Sequence, residues 1–524
     1  GIPRGSRAPT DPRRDSARRG HRGGARAPPP AGFPRLPPAQ PALYLLVGRF
    51  MAGQLKLVGS PRTIHCYISK LHRAPSLRRF TACMSVLGFT GLATFEIVWG
   101  ARVLKVLFGG QDSIYYFAIV ILAFYLVLYL FMGGQRGAIN TDQYQLVIAY
   151  VGLHAMVAWA IWQGPVSFSG MDAPIIVPLI LVSGFVMLGA RVWWAWHESK
   201  AGKLAKALNI ITVISLGGML LALLCRRELY SLATFSWKTI DKSSPEFGWQ
   251  LAAFSVLPLL FQFVDMTNWQ RIAAIKEQPG KPLLRGVLEG LIQYLIESPL
   301  SWLLPVLMGL CAAQFLGKNA QGEPWDLFLA KAFAEPGILG PLLSAVIVAG
   351  IAAVFLSTAD GLLSAVGYSF AYDIRKRTRL LVDRSSDSVL KAEEAAFVIA
   401  KGRMGMAVLL MITAVAFVLV DVGMKKGMEF LGLFLAMFTP MVSFAPAIVV
   451  PALTKRAAPA TAAWLAIGGG GLAGIGLGVV SVFKGGIWQW GCIVAAFGVS
   501  WFFYLVGMIW SRKVGVEGGE SGGQ

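Results

Sequence analysis

The stretch FLSTADGLLSAVGYSFAYDI, residues 355–374, continues an apolar run that starts at residue 340, and its only charged side chains are Asp360 and Asp373. A bilayer-spanning helix needs roughly 20 mostly apolar residues, and this run is longer than that. Ser357, Thr358 and Asp360 fall inside it, where polar groups are costly and tend to mark sites or pathways. A lone hydroxyl in such a helix usually bonds back to the preceding turn. Here Val354, Ser357 and Thr358 stand at i, i+3 and i+4, so a main-chain carbonyl and two hydroxyls share one helix face. Hard monovalent cations take oxygen ligands of this kind. One face supplies half of such a site; the rest must come from another helix, preferably one unwound at the midplane.

The whole chain agrees with a membrane setting. Its 524 residues are 55% hydrophobic and only 14% charged, with a mean hydropathy of +0.60, outside the range of ordinary soluble domains. About twelve apolar stretches are long enough to span: 81–108, 114–133, 143–163, 174–197, 207–225, 247–268, 286–316, 340–373, 403–421, 428–453, 460–482 and 488–510. A shorter thirteenth is PALYLLVGRFMAGQLKL at 41–57. These runs are continuous, where barrel strands would alternate, so the expected fold is all-α. The five cysteines are scattered without paired spacing, which implies neither a disulfide framework nor a zinc site.

The net charge of +21 is mostly topology. Numbering the loops alternately gathers the basic residues into one set, which includes Arg73, Arg78, Arg79, Lys200, Arg271, Lys281 and the RKRTR run at 375–379. The positive-inside rule makes that set cytoplasmic. Nucleic acid is therefore not an expected partner; the bilayer is. Residues 1–40 are rich in Arg, Pro, Gly and Ala, and their composition predicts disorder. A transit peptide and an RNA-binding tail are weighed against a third reading, that the stretch lies outside the native coding sequence. The expected domains are this segment, a transmembrane domain over 41–513, and a short tail over 514–524.

Four motifs together resemble the sodium:solute symporter family. FLSTADGLLSAVGYSFAYDI looks like its eighth core helix, FQFVDMTNWQRIAAIKE (261–277) like its sixth, and LRRFTACMSVLGFTGLATFEIVWGARVL (77–104) like its third. GGQRGAINTDQYQLVI (133–148) is similar to the loop between core helices four and five. The resemblance covers residues 41–513 and implies a LeuT-type inverted-repeat transporter of about 12–13 transmembrane helices in the plasma (bacterial inner) membrane. It further implies sodium as the co-transported ion, a small polar solute as substrate, no other cofactor, and no enzymatic activity. Ser357 and Thr358 would give sodium their hydroxyls and Val354 its carbonyl. Asp142 would lie near the inner end of the cation route, its bland alternative being a solvated loop charge. Phe261 would take the aromatic gate position and Gln262 the substrate-facing one.

Other polar groups sit in apolar runs. Glu289, Gln293 and Glu297 form an i, i+4, i+8 stripe, and Glu96 and Asp265 are further carboxylates. Such a set suits a cationic or polar neutral solute, or proton coupling; carboxylates bonded to backbone are the structural alternative. IGGGGLAGIGLGVV (467–480), with Gly470, Gly474 and Gly478 at four-residue spacing, reads as a packing face rather than a phosphate loop. Two departures from the family stand out. The pair 174–197 and 207–225 is extra, and core helix one has no counterpart. A non-transporting homologue acting as a sensor or structural protein is accordingly the competing function. No zinc-protease, nucleophile-elbow or Walker motif supports an enzyme.

Overall fold

The computed structural model describes residues 50–51, 63–163, 245–274, 308, 324–374, 430–454 and 458–513. All of them belong to one compact unit, residues 44–524. Among the described residues the secondary structure is helical throughout, with no strand. Helix α1 spans Ile64–Leu71, α2 Pro75–Leu107, α3 Asp112–Gln163, α4 Pro245–Val264, α5 Met266–Ala274 and α6 Pro324–Phe333. Helix α7 spans Leu339–Ser369 and continues as a π-helical turn, Phe370–Ile374; α8 (Phe430–Phe438) passes through a 3-10 segment, Thr439–Phe444, into α9 (Ala445–Thr454). Helices α10 (Ala460–Lys484) and α11 (Ile487–Lys513) close the chain.

Among the described residues, five helical spans are long and apolar enough to cross a membrane: Pro75–Leu107, Gly340–Ile374, Phe434–Thr454, Ala460–Lys484 and Ile487–Ser511. Large apolar side chains stand exposed along them, among them Leu472 and Phe483 on α10 and Phe502 and Ile509 on α11. Water would penalise that surface, and lipid does not. The chain is an all-α, multi-pass membrane protein. The expected spans 174–197, 207–225 and 403–421 and nearly all of 286–316 lie outside the described residues, as do residues 1–40.

Local chemistry sets the ends. Thr63 caps α1 by accepting the Cys66 N–H at 3.1 Å, and Pro75 opens α2 at a position that needs no amide hydrogen. Gly109 and Gly110, with φ of 81° and 83°, make the turn out of α2.

The stretch 134–142, expected as a loop between two spans, lies inside the helical run of α3, Asp112–Gln163. The helical run nevertheless turns back on itself. Asp112 pairs with Lys105 at 2.7 Å, and Leu122 lies against Gly100 beside Phe355, so its first part runs antiparallel to α2. Arg78 meets Asp373 at the far end of α2, so α2 is antiparallel to α7 and that first part is parallel to α7. Farther on, Asp142 bonds Ser357 and Gly152 touches Gly350, so the second part is antiparallel to α7. A straight helix rises 1.5 Å per residue and cannot do both. The reversal falls between Leu122 and Asp142, a stretch that holds Gly133 and Gly134, which carry no Cβ to restrict the backbone.

The glycine run packs as its spacing predicts. A Cβ on Gly470 would meet Ser443, on Gly474 Thr439, and on Gly478 the Cα of Ala436. Across from it, the side chain of Ser481 meets Gly432. Helix α10 thus lies antiparallel along the α8–α9 span, one helical turn per glycine, at backbone contact distance.

Candidate functional site

The polar groups of α7 collect where two glycines let helices touch. A Cβ on Gly152 would fall 2.5 Å from the Cα of Gly350, so the second part of α3 and α7 meet backbone to backbone. Seven residues along α7 from that contact, Ser357 Oγ donates to Asp142 Oδ1 at 3.0 Å. Asp142 is half-buried. Asp360, fully buried, and Ser364 continue the face that Ser357 begins, at i+3 and i+7. On α3, Gln145 is one turn from Asp142. Ser364 Oγ and Gln145 Oε1 are both buried without a hydrogen-bond partner. Two facing helices therefore present hydroxyl, carboxylate and amide oxygens to one another.

Thr358 behaves differently from Ser357. Its hydroxyl donates to the Val354 carbonyl at 3.0 Å, the back-bond common for hydroxyls in apolar helices. Two of the three oxygens expected to face one cation thus satisfy each other, and the Val354 side chain is 46% exposed.

Asp265 interrupts the apolar run expected to be a single helix. Its carboxylate accepts both the Thr267 N–H and the Thr267 hydroxyl, each at 2.7 Å, and so caps a new helix, α5. The Trp269 indole donates back to the Phe263 carbonyl at 2.8 Å. That geometry makes Asp265 a backbone-bonded carboxylate, the structural alternative weighed above for each interior acid. Gln270 then ties α5 to α7 through the Ala365 carbonyl (3.2 Å) and Ser369 Oγ (3.1 Å). One turn before the break, Phe261 packs on Phe438 with ring centroids 5.2 Å apart. Gln262 lies in α4, with its side chain outside what the structure describes. Glu289 and Gln293 lie outside the described residues altogether.

A second polar cluster was not singled out in the sequence. Arg78 Nε donates to Asp373 Oδ1 at 2.8 Å, and Arg78 also donates to the Tyr372 carbonyl at 3.1 Å. Thr63 donates to the same Asp373 oxygen at 2.9 Å. The π-helical turn buries Ala371, Tyr372 and Asp373 in succession, which an α-helical face would not do. His65, two residues past Thr63, is fully buried with neither ring nitrogen bonded. Burial, with the nearby Arg78 charge, lowers its pKa from 6.5 to about 3. The only sequence signal for this cluster was an Asp at the end of an apolar helix, and it had no visible partner 295 positions away.

No protein-family model and no curated protein matches the chain. Among solved structures it is similar to a sodium-coupled sialic acid symporter in its substrate-bound, outward-open state. The identity is 15%, the TM-score 0.36, and the alignment covers 91% of this chain and 96% of that one. At that TM-score the likeness decides neither fold nor function.

Proposed function

We propose that the protein is a secondary transporter that couples the inward movement of sodium to uptake of a small polar solute by alternating access across the plasma membrane. The observation that carries this reading is the contact of Ser357 with Asp142 between α7 and α3, with buried Asp360 on the same α7 face. Hydroxyl and carboxylate oxygens are a ligand set for a hard cation, and a cation offsets the penalty of holding carboxylates inside an apolar bundle. Sodium is the transported ion in this reading. Ser357 and Asp142 would hold it, joined by Thr358 Oγ and the Val354 carbonyl once their mutual bond opens. The solute site is proposed at the interruption of the α4–α5 run, with Phe261, Gln262 and Asp265, completed by Glu289 and Gln293.

Sodium binding is testable without knowing the solute. A ligand that binds the folded state and not the unfolded one raises the melting temperature, by more as its concentration exceeds its dissociation constant. The purified protein in detergent should melt higher in sodium chloride than in potassium chloride at equal ionic strength, and Asp142→Asn and Ser357→Ala should erase that difference. Equal melting in both salts for the parent protein rules the cation site out.

A further inference from the structure

Gln145 stands on the face that the second part of α3 turns to α7, and its carbonyl oxygen, Oε1, is buried without a hydrogen-bond partner. A buried acceptor left unmet is unfavourable unless a ligand meets it. Two contacts already described fix where this one lies. Asp142 accepts from Ser357, and Gly152 touches Gly350. An α-helix drifts by about 20° in seven residues, so Gln145 falls in angle between Asp142 and Gly152, close to the latter. It is also level with the Ser357 hydroxyl. Gln145 comes seven residues before Gly152, and Ser357 seven after Gly350. On antiparallel helices both therefore lie about 10 Å from the glycine contact, on the same side of it. A helical side chain leans over the turn that precedes it, which for Gln145 is the turn of Asp142. The amide oxygen is thereby directed to the Asp142–Ser357 pair.

The neighbouring hydroxyls do not meet it. Ser357 gives its hydrogen to Asp142. Ser364 Oγ, also buried without a partner, is two turns beyond Ser357, about 10 Å farther along α7. What the turn of Asp142 collects is therefore a carboxylate and an amide oxygen, both acceptors. A hard cation takes several such oxygens at once, and two other candidates, Thr358 Oγ and the Val354 carbonyl, bond each other.

We infer that Gln145 is a further ligand of the transported cation, giving it an uncharged amide oxygen from α3 beside the Asp142 carboxylate and the Ser357 hydroxyl. This inference rests on the symporter reading and adds a residue to its cation site. An amide oxygen completes the shell without placing a second carboxylate on the α3 side, which suits a monovalent ion.

Thermal melting of the full chain in detergent, titrated with sodium chloride against potassium chloride at constant ionic strength, reads sodium affinity without any solute. Gln145→Met keeps the length of the side chain and removes its oxygen, and should weaken sodium about tenfold. Gln145→Glu returns an oxygen at the same reach and should restore the response. A residue that only packs would shift the melting temperature alike in both salts and leave sodium affinity unchanged. That result for Gln145→Met overturns the inference, as does a Gln145→Glu variant no better than Gln145→Met. Gln145→Ala serves the same comparison if the methionine variant does not fold. Asp142→Asn separates the two readings. A sodium response that Asp142→Asn abolishes and Gln145→Met leaves intact removes Gln145 alone, whereas a parent protein without any sodium response removes the cation site and this ligand with it.

Discussion

Arg78 and Asp373, 295 residues apart in sequence, form an ion pair of 2.8 Å with side chains 6% and 0% exposed. It joins the start of α2 to the end of α7, with Thr63 bonding the same carboxylate oxygen and the Arg78 guanidinium 4.4 Å over the Tyr372 ring. Removing one partner of a buried pair leaves an uncompensated charge and costs about 3–5 kcal/mol, whereas replacing both with apolar residues is often neutral. Arg78→Met and Asp373→Leu should each lower the melting temperature sharply, and the double variant should recover most of the loss. A double variant as unstable as the sum of the singles would show that the pair supports the fold through contacts other than charge.

Asp265 should contribute as a helix cap. Asp265→Ala removes the acceptor for two Thr267 donors and should destabilise by about 1 kcal/mol, while Asp265→Ser or Asp265→Asn keeps most of it. If Asp265 also touches solute, the Asn variant will bind the solute more weakly at unchanged melting temperature. That combination separates the two roles.

His65 predicts a pH dependence of stability. Its pKa is lowered in the fold to about 3, from 6.5, so the folded protein holds it neutral while the unfolded chain takes up a proton below about pH 6.5. Stability from this group is complete above 6.5 and is lost as pH falls from there towards 3, at about 1.4 kcal/mol per pH unit once well below 6.5. His65→Leu leaves no orphaned ring nitrogen. Relative to the parent it should gain about 1.4 kcal/mol between pH 8 and pH 5.5, read as the difference in melting temperature at each pH. Parallel pH profiles would show that His65 does not titrate in the unfolding transition.

Gly478→Ala tests the helix contact. The added methyl would run into the Ala436 Cα, a backbone atom that cannot move aside alone. Overpacking of this kind costs about 1–3 kcal/mol. Gly476→Ala on the same helix meets nothing within 4 Å and should be neutral or slightly stabilising, since alanine favours helix. Thermal melting of both variants decides it.

Hydropathy and periodicity were enough to read the all-α membrane class, the long α7 and the packing role of the glycine run, because lipid and close helix contact select composition directly. They also put Val354, Ser357 and Thr358 on one face, of which Ser357 reaches α3 while Thr358 bonds back to the Val354 carbonyl. The chain between residues 114 and 163 was legible as two spans of opposite direction, and the contacts of Leu122 with Gly100 and of Asp142 with Ser357 agree with a reversal between them. The break at Asp265 was hidden. An Asp within an apolar run reads as a ligand until the Thr267 hydrogen bonds reveal it as a cap.

What residue order determined alone is the lipid-compatible helices and which side chains share a helix face, since both follow from local composition and a 3.6-residue period. Partnership between helices belonged to tertiary structure. Ser357 reaches Asp142 because Gly152 and Gly350 bring two backbones together, and Arg78 finds Asp373 because α2 runs antiparallel to α7. None of these is encoded at a fixed spacing; each depends on packing that joins positions far apart in the chain.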